Sequence, residues 1–322
     1  MSKIVFFSGG LASFAVAHSI KDDKPLLYFT DTKWEDEDLY RFIYEVSDKL
    51  KLPLLIHSMG LDPVELMIKQ RIIFNSRIGN CSAILKMKVA SDFLKKGKKP
   101  QIEEWYNKQY LPTDFDFNQV NELYFGIGFD EFHRVGAIKK NWQPYDVKFP
   151  LVESIFNYDE LLALYDIKKP RMYLKGFTHN NCKGRCVKAG KGHYKLLYNE
   201  DKETFDEINQ VEHYLSIYVG AYHYLKNEVG AEFILKKNEE EIYKWYRSGY
   251  KYKPNLSFSF GQNFNSIIKS GQIKMIKQTM DKKQQFDLFG NTSRNGDEIG
   301  GCGCFVDYDE NNLALQWNKG GE

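Results

Sequence analysis

The chain of 322 residues has no apolar run long enough to cross a membrane. Its first apolar stretch, Ile4-Val5-Phe6-Phe7, is too short for a secretory leader and runs straight toward Gly9-Gly10. These absences lead us to expect a cytoplasmic protein with no membrane partner. Cysteine is scarce. In a reducing compartment the five thiols are expected to be metal ligands, catalytic groups or core residues rather than disulfides. Charge imbalance is also missing: 45 basic against 43 acidic side chains leave +2, so bulk charge makes no case for nucleic-acid binding. There is no Gly-Lys-Ser/Thr Walker loop, no internal repeat and no long low-complexity linker.

What is present is enough apolar surface for a folded core, at 43% hydrophobic residues. Ile4–Phe7, Leu26–Phe29 and Leu54–Ile56 are short continuous apolar runs, the pattern of strands buried on both faces. Between them, residues 11–20 and 36–50 read as helices, the second with Leu39, Phe42, Ile43, Val46 and Leu50 on one stripe. Strand and helix in alternation predict an α/β fold with a doubly wound, mostly parallel sheet. Further helices are expected at 63–70, 82–95 and 157–165, and strands at 122–127 and 146–149. Residues 96–121 read as an excursion without period. The sheet domain, 1–175, is expected to end near residue 175, followed by a smaller region, 176–322, with helices near 203–227 and 239–248.

Ser8-Gly9-Gly10-Leu11-Ala12-Ser13 leaves the first strand and enters the first helix. Glycines there let backbone N–H groups approach an anion, the helix N-terminus favours negative charge, and Ser8 and Ser13 add hydroxyl donors. Ligands of such sheets bind outside the carboxyl ends of the strands. The loop is therefore a candidate phosphate cradle.

The loop resembles the PP-loop of the ATP pyrophosphatase superfamily, and further motifs resemble its phosphoadenosine phosphosulfate (PAPS) reductase-like branch. These are Thr30-Asp31-Thr32-Lys33-Trp34-Glu35 after the second strand, Cys81-Ser82-Ala83-Ile84-Leu85-Lys86 at a helix start, Gly126-Ile127-Gly128-Phe129-Asp130-Glu131-Phe132-His133-Arg134 after the fourth strand, and Pro150–Glu153 with Tyr158–Leu161. The resemblance implies an adenine-nucleotide α-hydrolase-like fold and cleavage of ATP, with Mg²⁺, between its α- and β-phosphates. Nucleotide binding then falls to Ser8, Gly9, Gly10, Leu11, Ala12, Ser13, Thr30 and Asp31. Many relatives carry Lys where Leu11 stands and Asp where Ala12 stands, so cations and carboxylates must come from elsewhere. Lys86 and Arg134 are the candidate phosphate clamps, and Asp31, Glu35 and Glu131 the candidate carboxylates; Asp31 reads equally as a helix N-cap. Cys81 is either a thiol near the nucleotide or a small buried hydrophobe.

The other cysteines form two close pairs, Cys182/Cys186 and Cys302/Cys304, in glycine-rich polar segments. Four thiolates suit a closed tetrahedral Zn²⁺ site, with an iron–sulfur cluster as the alternative, and His179 or His193 in reach to replace a cysteine. Such a site would staple the C-terminal tail to the sheet domain. The expected function is an ATP pyrophosphatase or adenylating enzyme that activates an acceptor. The basic Cys182–Lys191 loop and sulfur-inserting relatives suggest a nucleic acid or nucleotide as acceptor, or a partner protein. Two alternatives stand beside it: a thiol-dependent sulfonucleotide reductase, and a non-catalytic nucleotide-sensing subunit.

Overall fold

Four short apolar runs become the centre of one six-stranded sheet. The computed structural model describes residues 2–75, 78–259 and 262–263; Cys302 and Cys304 lie outside the described residues. These fall into two compact units, residues 2–62 with 80–186, and residues 63–79 with the described residues from 187 onward.

In the first unit β1 (Ser2–Phe6), α1 (Leu11–Ser19), β2 (Leu26–Asp31), α2 (Glu37–Leu50) and β3 (Leu54–Ser58) follow in order. β1 pairs in parallel with β2, and β2 with β3. Every residue of β2 and β3 is buried, as strands covered on both faces require. Alternation along the strands sorts side chains by face. Val5, Phe7, Leu27, Phe29, Leu54 and Ile56 join Phe14 of α1 and Leu39, Phe42, Ile43 and Val46 of α2 in one core. On the opposite face Phe6 packs on Trp142 at 4.7 Å between ring centroids, and Phe93 packs edge-on to His57 at 4.4 Å. Helices thus cover both faces, as the doubly wound pattern predicts. Asp36 caps α2 by accepting from the Asp38 N–H at 2.8 Å, and the predicted apolar stripe is the buried face.

The sheet order is β4-β3-β2-β1-β5-β6, where β4 is Ile102–Tyr106, β5 is Val120–Phe125 and β6 is Asp146–Lys148. β5 and β6 are parallel additions. β4 is not: it runs antiparallel beside β3, inside the stretch read as an excursion. Its sequence, Ile102-Glu103-Glu104-Trp105-Tyr106, is half solvated, as suits an edge, so it carries no continuous apolar run. Glu103 accepts from His57 at 3.1 Å, and burial lowers the His57 pKa to about 4, keeping that imidazole neutral.

The expected helix at 82–95 is present but divided. Ser82–Lys88 forms a π-helix, and an α-helix continues from Val89 to Lys96. The second unit begins with α3 (Pro63–Gln70), and the Val89–Lys96 helix is α4. α5 (Val135–Asn141), α6 (Pro150–Glu153), α7 (Tyr158–Tyr165) and α8 (Arg171–Leu174) complete the first unit.

In the second unit α9 (Lys191–Glu200), α10 (Lys202–Leu225) and α11 (Glu232–Arg247) accompany α3, with a short β7–β8 pair at Ser257–Ser259 and Gln262–Asn263. α10 buries Ile208, Val211, Leu215, Tyr218, Ala221 and Leu225 at helical spacing. The Tyr218 hydroxyl donates to the Ile68 carbonyl, and Arg247 pairs with Glu65 at 2.8 Å, joining α10 and α11 to α3. Among the described residues no helix is long and apolar enough to cross a membrane.

Glu212, on α10, is buried, and its Oε1 has no hydrogen-bond partner among the described residues. Burial raises its pKa from 4.5 to about 8. The unfolded chain ionises this group at its ordinary pKa and the folded chain only near the raised one. The contribution of Glu212 to folding stability is therefore full at acid pH and is lost as pH rises through that window, by up to about 5 kcal/mol. Glu212→Gln removes the titration. Its melting temperature is expected to exceed that of the wild type above pH 8 and to converge with it near pH 4.5; parallel pH profiles would refute this.

Candidate functional site

The phosphate-loop candidate sits where β1 ends between β2 and β5. Gly9 has φ +78°, and a Cβ there would lie 2.8 Å from Leu39 Cγ, so the turn requires glycine. A Cβ on Gly126, just past β5, would lie 2.7 Å from the Ser13 nitrogen. β5 therefore ends directly against the start of α1. The Ser13 hydroxyl donates to the Gly10 carbonyl at 2.8 Å, and the Ser8 hydroxyl to Ser13 Oγ at 3.3 Å. Both predicted hydroxyls thus belong to the loop itself.

Two residues that the sequence gives no site role, Tyr173 and Asn180, close over this loop. The Leu11 N–H, at the start of α1, donates to the Tyr173 hydroxyl at 3.3 Å. Asn180 is fully buried, and its Nδ2 donates to the Gly9 carbonyl at 3.0 Å. Its Oδ1 has no hydrogen-bond partner among the described residues. Tyr173 is placed by α8, whose Arg171 grips Asp36 at 2.9 Å while the Arg171 N–H donates to Asp38. Burial raises the Tyr173 phenol pKa to about 12, so it is neutral.

Beside the loop, Ser8, Thr30 and Lys86 line a cavity of about 10 Å³, room for one water at most, with Phe6, Phe7, Tyr28 and Phe29. Three sequence motifs distant in the chain thereby meet at the carboxyl ends of β1 and β2. Lys86 is buried on the π-helix and pairs with Glu35 at 3.1 Å. Glu35 also accepts from the Thr32 hydroxyl at 3.0 Å and from the Cys182 N–H at 2.5 Å. Burial alone would lower the Lys86 pKa; the Glu35 carboxylate, through its charge and its hydrogen bond, outweighs it, and the pKa is raised. Lys86 is therefore a permanent cation within electrostatic reach of two thiols.

Asp31 is buried and caps a turn, not a helix. It accepts from the Lys33 N–H and the Tyr40 hydroxyl, each at 2.8 Å, and pairs with Lys33 Nζ at 3.0 Å. The helix-capping role belongs to Asp36. Glu131 and Arg134 lie on the helical turn Phe129–Arg134 after β5 and pair with each other. Neither hydrogen-bonds to Ser8–Ser13 among the described residues. Arg134 is buried, with its Nε lacking a hydrogen-bond partner among those residues, and His133 is exposed.

Cys182 and Cys186 do meet. Their thiols hydrogen-bond, and that bond, with burial and the Glu35 charge, pushes the Cys182 pKa well up. The backbone wraps tightly to allow it: Cys182, Lys183 and Gly184 all have positive φ. Arg185 stacks on Trp34 at 3.7 Å and donates to its carbonyl, anchoring the loop beside Glu35. Among the described residues no group of three or more His, Cys, Asp or Glu side chains is placed to hold a metal ion, so neither His179 nor His193 completes a set. The pair offers two of the four thiolates a zinc site needs.

No protein-family model matches the chain, and no curated protein matches it in sequence. What the geometry defines is an α/β sheet protein with a glycine loop, a buried lysine–carboxylate pair and a dithiol gathered at one sheet end.

Removing one member of a buried ion pair strands the other. Lys86→Met is expected to lower the unfolding free energy by about 3–5 kcal/mol. Adding Glu35→Gln should restore at least half of the loss, because the amide oxygen can still accept from the Cys182 N–H while its NH2 donates to the Thr32 hydroxyl oxygen. Urea titrations of the two variants test this; simple additivity would mean that the pair is not coupled.

Proposed function

We propose that the chain is a PP-loop ATP pyrophosphatase of the PAPS-reductase-like kind, with an adenine-nucleotide α-hydrolase-like fold. The observation that carries the reading is the packing of Ser8, Thr30 and Lys86 against one another beside a glycine loop that opens a helix. In this reading an acceptor nucleophile attacks the α-phosphorus of ATP. The bond to the bridging oxygen breaks, pyrophosphate leaves with the bonding pair, and the acceptor's proton passes to solvent or a base. A second nucleophile then displaces AMP from the adenylated acceptor.

The loop amides and Ser8 would hold the departing pyrophosphate, and Lys86 would supply the cation that Leu11 does not. Arg134, exchanging Glu131 for a phosphate, adds a second clamp and frees Glu131 as a base. Asp31 keeps the end of β2 in place through Lys33 and Tyr40. With Asp31 and Glu35 already paired to lysines, Mg²⁺ would be held chiefly by the phosphate oxygens.

Labelled ATP tests this directly. AMP and pyrophosphate are the expected products, and Ser8→Ala should lower kcat/KM by about a hundredfold. ADP as the main product would overturn the assignment.

The thiols near Lys86 favour a second reading, reduction of an adenylylated sulfate. One thiolate would attack the sulfonate sulfur and release the nucleotide; a second thiol would then release sulfite and close a disulfide, with two thiols oxidised and sulfur(VI) reduced to sulfur(IV). The two uses of Cys182 and Cys186 are separable. If they join Cys302 and Cys304 in a zinc or iron–sulfur site, anaerobically purified protein carries tightly bound metal that Cys182→Ser/Cys186→Ser removes. Metal-free protein with thiol-dependent sulfite release would favour the reductase instead.

A further inference from the structure

The second unit carries its own cleft, of about 550 Å³, within the range of ligand sites. One wall is a face of α10, with His213 and Tyr214 one turn beyond Asn209 and Gln210. The other is the chain after α11, where Tyr250-Lys251-Tyr252-Lys253 alternates aromatic and basic residues. Tyr250 has φ +65°, which turns this segment back toward α10.

The aromatic wall is rigid. The Tyr214 and Tyr250 rings both pack on the fully buried Trp245, at 4.9 and 5.3 Å between centroids. Tyr252 is 36% exposed at the mouth of the cleft. Lys251 and Lys253 are exposed as well, and neither ammonium has a salt-bridge partner among the described residues. Glu241, the carboxylate whose charge reaches Tyr252, is tied to the Asn255 N–H. Burial and the Lys253 charge lower the His213 pKa, so near neutrality the ring is an uncharged donor and acceptor. Asn209 and Gln210 add amides that both donate and accept.

Flat rings, neutral hydrogen-bonding groups and two unpaired cations in one concavity match a nucleotide's flat base, polar base edge and phosphate. An acidic peptide would use the lysines but leave the rings idle. A duplex keeps its bases stacked inside, out of reach of a cleft. We propose that this cleft binds single-stranded nucleic acid, stacking a base on the tyrosines and drawing the flanking phosphates to Lys251 and Lys253. The proposal needs nothing from the pyrophosphatase reading of the first unit.

The test is fluorescence anisotropy of the full chain, without ATP, against a labelled oligothymidylate and oligouridylate each about a dozen nucleotides long. The wild type is expected to bind with salt-dependent affinity. Lys251→Ala/Lys253→Ala should weaken binding at least tenfold and reduce the log–log salt slope by about 1.4. Tyr252→Ala should weaken it about 5- to 100-fold, with the salt slope unchanged. Unchanged melting temperatures establish that both variants fold. Absence of wild-type binding, wild-type affinity in both variants, equal affinity for duplex, or saturation by free nucleotides alone would each overturn the proposal. Pyrophosphate release from ATP, assayed separately, fails or succeeds independently of these outcomes.

Discussion

The contact on which the candidate site depends is the buried pair Glu35–Lys86. Desolvating two charges is costly, and such a pair is retained at a net gain only if further hydrogen bonds complete it. Here the Thr32 hydroxyl and the Cys182 N–H complete the carboxylate. Glu35 consequently ties together three segments that have no neighbourhood in sequence: the turn after β2, the π-helix and the cysteine loop. The pair holds Lys86 at the cavity it shares with Ser8 and Thr30. Its energetic worth is modest compared with an apolar substitute; its structural consequence is a fixed cation near the glycine loop.

The π-helix serves the same end. Its i→i+5 bonding is rare and usually confined to single turns near functional groups. Ser82–Lys88 is such a stretch, and it carries both the buried Lys86 and a run of buried apolar residues, Ala83, Ile84, Leu85 and Met87. A regular α-helix over the same residues would rotate those positions differently against β2. The sequence offers no warning, because seven residues are too few to separate a period of 3.6 from a longer one, and 82–95 reads as a single helix.

Other parts of the structure were legible for identifiable reasons. β1, β2 and β3 are continuous apolar runs because both sheet faces are covered, and α2 shows its stripe because one face is solvated. β4 is not legible: Glu103 and Glu104 are solvent-accessible at an edge, and Trp105 with Tyr106 is too short a pattern to declare a strand. The loop residues Ser8–Ser13, Thr30 and Lys86 could be named from local motifs. Tyr173 and Asn180 could not. They lie 162 and 171 residues from their partners in the loop, in segments with no periodic signal. Nor does Asp31's side chain follow from local reading, since an aspartate before a helix suits a cap, and only the fold gives that task to Asp36.

Tyr173 also bears on how the backbone donors at the start of α1 are satisfied. Buried backbone donors must be paired, and the N-terminal amides of α1 have no partners within the helix. The Tyr173 phenol satisfies Leu11 N–H with a long bond, 3.3 Å. A phosphate oxygen would make a shorter, charge-assisted bond to the same donor, favoured further by the helix dipole. With its pKa pushed to about 12, the phenol is neutral and does not repel an arriving anion. Under the proposed function it could turn from acceptor to donor and bond the phosphate that displaces it. Under the proposed function, phenol and phosphate would be alternative partners of one donor, while Gly9, Gly126 and Asn180 hold the backbone of the loop.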